Sequence, residues 1–137
     1  MSIETDLISK ITTDVDVSPL IGSRLYSQLG PQDATLPFAT YEITNTEQQI
    51  TLSGPSNYYS TDLQIDSYAS SKASVIDLAA KVSTALHGYA GELDSTTVKF
   101  ARVDSISDVD EAEYAGQAQP KAWHRTIIFK IYWGLNG

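Results

Sequence analysis

The stretch Tyr58-Tyr59-Ser60-Thr61-Asp62-Leu63-Gln64-Ile65-Asp66-Ser67-Tyr68-Ala69, followed by Ser70-Ser71 and then Lys72–Leu86, decides the reading of this chain. Through the first twelve residues the side chains alternate. Tyr59, Thr61, Leu63 and Ile65 point one way and Ser60, Asp62, Gln64 and Asp66 the other, which is the period of a half-buried strand. At Lys72 the period changes. Val75, Ile76, Leu78, Ala79, Val82, Ala85 and Leu86 form a stripe at helical spacing, a serine at 70 or 71 stands ready to cap it, and Gly88 lies just past its end. A strand that feeds directly into a long helix points to a crossover connection within one sheet.

Further strands flank this unit. Upstream, Ala39, Tyr41 and Ile43 alternate with Thr40, Glu42 and Thr44 over Phe38–Glu47, and Pro37 stands just before them. Gln48–Ser53 reads either as more of that strand or as a protruding hairpin arm, with a turn expected at Gly54-Pro55-Ser56-Asn57. Downstream, Val98–Val103 reads as a strand. Trp123–Trp133 reads as another, apolar on both faces near its end as a central strand would be. At the start, Ile3, Leu7, Ile8 and Ile11 share one face of a helix that Ser2 can cap, and Pro19-Leu20-Ile21 before Gly22 reads as a single turn. The expected fold is therefore α+β in the order α-β-β-α-β-β. It is a four-stranded mixed sheet with two helices packed on one face, in one domain over residues 1–137.

Composition narrows the function. The chain carries 17 acids against 9 Lys+Arg, a formal net charge of -8. Its basic residues are scattered, so sequence-independent nucleic-acid binding is not expected. With 0 cysteines there is no disulfide, no zinc–thiolate site and no thiol nucleophile. Acids within the first six residues and no apolar run after them argue against a signal peptide, and no stretch has the length of a membrane span. The expected setting is the cytoplasm, with no membrane involved.

No catalytic constellation stands out. His87 closes a helix and His124 sits on a strand, while no G-x-S-x-G elbow and no phosphate-binding glycine loop occur. Asp104, Asp108, Asp110, Glu111 and Glu113 form an acidic run with oxygen ligands for a hard cation. The run lacks the spacing of a calcium loop and reads as a solvated connection between strands over Asp104–Pro120. No catalytic, cofactor or metal residue is assigned. Aromatic residues are numerous, with 8 tyrosines and 2 tryptophans. They serve equally well as strand residues or as interface residues.

The order of segments resembles a known family. Ile21-Gly22-Ser23-Arg24-Leu25-Tyr26, Leu36-Pro37-Phe38-Ala39-Thr40-Tyr41 and Leu63-Gln64-Ile65-Asp66-Ser67-Tyr68-Ala69 follow a first helix. A helix ending Ala85-Leu86-His87-Gly88 and a closing strand Arg125–Tyr132 after an acidic loop complete the series. This resembles the tail-completion proteins of long-tailed phages, also called tail terminators or head–tail joining proteins, over nearly the whole chain. A proline expected after Tyr26 is replaced by Ser27-Gln28. The resemblance implies a non-enzymatic virion subunit, assembled in the host cytoplasm. Such subunits form a ring, usually of six, that caps the head-proximal end of the tail tube and stops its growth. The ring presents a surface to the head connector or stopper protein, and DNA passes through its lumen without specific binding. The alternatives are another connector or minor tail subunit and a generic protein-binding module. The segments expected to make the assembly contacts are the arm (Gln48, Gln49, Ser53, Asn57, Tyr58) and the acidic loop (Asp104, Asp108, Asp110, Glu111, Glu113). Both lack a dense apolar pattern and suit ordering on binding.

Overall fold

The computed structural model describes residues 3–27, 36–51, 54–93, 96–112 and 122–135, with backbone only at 49–51, 54–57, 110–112, 122 and 135. The chain runs α1 (Ile3–Thr12), α2 (Ser18–Ile21), β1 (Leu25–Ser27), β2 (Phe38–Thr51), β3 (Gly54–Ala69), α3 (Lys72–Leu86), β4 (Gly91–Glu92), β5 (Thr96–Ile106), β6 (Asp110–Ala112) and β7 (Ala122–Leu135).

The expected four-stranded sheet is corrected here. Among the described residues the sheet has seven strands and curls into a half-barrel, with a path of six in the order β1-β2-β3-β7-β5-β4 and β6 paired to β7 off that path. Three of the strands span two or three residues, too short to show an alternating period. β5 also runs on to Ile106, through residues whose charge suggested a loop. The turn expected at 54–57 is likewise displaced: Gly54 already pairs with Thr51, so β3 begins there. β1 runs parallel to β2, and the other pairs are antiparallel. Register shifts at Ile43/Asn45, Gln48/Ile50, Val98/Phe100 and Val103/Ser105 add local twist to the long strands.

β7 lies between β3 and β5, so α3 carries the chain over β7 from one parallel strand to the next. Beside β7, β5 and β6 form one broken row. Ser107 spans the break, its N–H donating to the Thr126 carbonyl at 2.9 Å and its Oγ accepting from the Thr126 N–H at 2.9 Å. Charged residues sit comfortably on such a row, because charge discourages further strand pairing.

The core fills the space between the sheet and the helices. Leu7 and Ile11 of α1 and Val75, Leu78, Val82 and Leu86 of α3 meet Leu63, Ile65, Ile127, Phe129 and Ile131 of the sheet. Each of these side chains, fully removed from water, contributes about 1.5–3 kcal/mol. Ser71 caps α3, its Oγ accepting from the Ser74 N–H at 3.1 Å. Gly88, at φ +79, turns the chain out of the helix, and its N–H donates to the Ala101 carbonyl at 2.7 Å. At one end of the core the Trp133 Nε1–H donates to Thr61 Oγ1 at 2.8 Å, and Tyr59 stacks on the indole with ring centroids 4.7 Å apart.

Candidate assembly surfaces

The helices cover one face of the sheet; the other carries mostly polar side chains, with Ile128 and Tyr132 among them. On that second face Asp62 is opposite Lys130, Asp66 opposite Thr126, and Tyr68 opposite His124. Lys130 Nζ lies 3.0 Å from Asp62 Oδ1, and this hydrogen bond raises its ammonium above the usual lysine range. Asp66 gathers three donors: His124 Nε2 at 2.9 Å, Gln64 Nε2 at 3.0 Å and the Thr126 hydroxyl. Burial pushes the Asp66 carboxyl up, but the hydrogen bonds from His124, Thr126 and Gln64 outweigh it and hold the group below the usual carboxylate range. Beyond this cluster Phe38, fully buried, stacks on Tyr68 at 4.9 Å and sits 5.9 Å from Tyr26. A small aromatic core thus closes this end of the polar face.

The Asp66–His124–Thr126 group has the composition of a nucleophilic triad but not its wiring. In a triad the carboxylate orients the imidazole from one ring nitrogen while the hydroxyl meets the other. Here Asp66 and Thr126 approach the same nitrogen, Nε2, at 2.9 and 3.2 Å. His87 is also structural in placement, its Nδ1 accepting from the Val103 N–H at 3.0 Å. Among the described residues no group of three His, Cys, Asp or Glu side chains could hold a metal ion, and no helix is long and apolar enough to cross a membrane.

The segments singled out by sequence fall at opposite ends of the sheet. β3 pairs with β7 only from Tyr58 onward, so residues 54–57, with 49–51 opposite, extend past the sheet as a two-stranded arm. Four residues of strand give it a reach of about 14 Å. Gln48 lies at its base opposite Tyr59, Gln49 falls in the register shift between Gln48 and Ile50, and Asn57 lies on the backbone of β3 within the arm. Ser53 lies outside the described residues. Tyr58 is 47% exposed, opposite Gly134, with Lys99 Nζ 5.0 Å from its ring centroid.

The acidic segment lies toward the other end of β7. Asp104 occupies the register shift between Val103 and Ser105 and accepts from Arg102 at 2.9 Å. Asp108 is exposed in the link 107–109. Asp110 and Glu111 pair through their backbones with His124 and Trp123, and Glu113 lies outside the described residues. Ten residues of β7 separate the pairings of Tyr58 and Asp110 along that strand, about 34 Å. The two segments therefore do not form one site.

A match to a protein-family description, "Tail completion protein gp17", spans residues 5–128. The chain belongs to the tail completion protein gp17 family. The three segments that carry the resemblance in sequence all fall within this match. The fold has a solved counterpart in a chain described as "Virion of native gene transfer agent (GTA) particle". The TM-score is 0.69 at 16% identity, covering 99% of this chain and 96% of that one. A comparison with curated protein sequences found no match. Membership of the tail-completion family gives the chain a structural role in the virion's tail.

Proposed function

We propose that this tail-completion subunit caps the head-proximal end of a tail tube as a ring of identical copies, halts tube growth, and joins the tail to the head connector without catalysing a reaction. The placement of the arm and the acidic segment at opposite ends of β7 carries the reading. A joint must hold two different partners at once, and it must bind the last tube ring without offering a copy of the tube's own surface. An arm at one end and a charged strand row at the other give each partner its own contact. The acidic surplus suits a lumen through which DNA slides without sticking.

The test has two parts. Light scattering across a concentration series should show a species of several copies, with closed rings visible by electron microscopy. Removing the gene from its parent particle system should yield tails of uncontrolled length that carry no heads. Tails of normal length joined to heads in its absence would overturn the proposal.

A further inference from the structure

Opposite flanks of α3 carry two features that fit each other. On one flank Pro19 and Leu20 of α2 line a cleft with Ser74, Asp77 and Leu78. The turn leading into α2 presents Val15, at 82% the most exposed of the large apolar residues described, between Asp14 and Asp16. Asp14 shapes this turn, its Oδ1 accepting from the N–H groups of Asp16 and Val17 at 2.9 and 3.2 Å. The Asp16 side chain is exposed and has no partner among the described residues.

On the other flank a groove of about 300 Å³ opens between α3 and the sheet, lined by Ile76, Ala80 and Ser83 on the helix and by Ile106, Arg125 and Ile127 below. Its position on the helix surface is turned about 150° from the α2 flank at 3.6 residues per turn. Ile76 and Ile106 are 40% and 50% exposed. Arg125 Nε is buried with no acceptor among the described residues. Directly across the ladder, Ser67 Oγ is in the same condition. A buried guanidinium N–H without an acceptor is costly, more so than a lost neutral hydrogen bond. The groove thus combines apolar lips with an unanswered cationic donor, and the turn combines an apolar knob with a free carboxylate.

We propose that the Asp14–Val15–Asp16 turn of one copy seats in this groove of the next copy, Val15 between Ile76 and Ile106 and the Asp16 carboxylate accepting from Arg125. Knob and groove are different patches on opposite flanks, so the contact is heterologous and repeats from copy to copy until a rotation closes it. The proposal rests on the ring reading and specifies its subunit contact.

The chain contains no cysteine, so introduced thiols report without background. Double variants carrying Val15→Cys with Ile76→Cys, and Val15→Cys with Ile106→Cys, are oxidised and run on non-reducing gels. A ladder of covalent oligomers is expected from at least one pair, and none from a control pairing Val15→Cys with Ser74→Cys. All three pairs occupy exposed positions, and circular dichroism checks their folding. Asp16→Arg should weaken self-association about tenfold or more, and adding Arg125→Asp should recover it. If the unmodified chain forms oligomers while neither groove pair ladders, the docking is wrong and the ring reading stands. If the chain stays monomeric at every concentration and no pair ladders, the docking falls and the ring reading loses its support. Self-association unchanged by Asp16→Arg would overturn the charge contact.

Discussion

At Asp66, donors from residues 58 and 60 positions away in sequence converge on one carboxylate. Its depressed ionisation has a direct consequence for acid stability. A carboxyl that titrates lower when folded than when unfolded contributes stability that is fully present above its unfolded value of about 3.9. That contribution is lost as pH falls through the folded value. Urea unfolding of the parent should therefore show a decline below about pH 4 that Asp66→Asn flattens. At pH 7 the same variant should be less stable by about 1–3 kcal/mol, since the amide presents a donor where the carboxylate accepted. Equal acid sensitivity in parent and variant would remove Asp66 from the account. Nothing in the order of residues marks this cluster. Gln64, Asp66, His124 and Thr126 read only as the wet side of two strands, and their meeting depends on register, which neither strand specifies by itself.

Among the elements, length decides what could be read. β3, α3 and β7 each hold a period over more than ten residues; α3 and β7 stand within two residues of where the pattern put them, and β3 keeps its end at Ala69 but starts four residues early, through the expected turn. β1, β4 and β6 are set by neighbours rather than by their own pattern. The Asp104–Pro120 stretch reads as a loop in sequence, yet Asp104 lies on β5 and Asp110 and Glu111 on β6, because charge on an edge row and charge in a loop look alike. A serine cap at 70 or 71 is legible and the structure places it at Ser71, so Ser71→Ala should cost about 0.5–2 kcal/mol in thermal or urea unfolding. The arm offers a sharper division between folding and assembly. Replacing residues 49–57 with a two-residue Asn-Gly turn between Gln48 and Tyr58 removes no β3–β7 pair. The shortened chain should keep its melting temperature to within about 5 °C, and under the proposed function it should fail to cap tubes in an assembly assay. A shortened chain that caps normally would place the tube contact elsewhere.

For the molecule as a whole, the charge of -8 makes a simple prediction. At about 0.15 M salt the chain should not retard duplex DNA in a gel, because it lacks the cationic cluster that would release counterions. Retardation would contradict a DNA path kept open by like charge. The placement of β7 carries a different consequence, one of timing. β7, residues 122–135, lies between β3 and β5 in the sheet and is made later than both. A growing chain that has emerged only as far as β6 holds its two halves apart with no middle, both inner edges unpaired and much of the core without its Ile127, Phe129 and Ile131 wall. Such a chain can form its β1–β2–β3 pairs, but the pairings to β3, β5 and β6 that close the sheet wait for β7, and long-range pairings of this kind form slowly. Copies that stop short of β7 would lack the strand that joins β3 to β5 and would be left to proteolysis, which keeps them out of the pool that assembles.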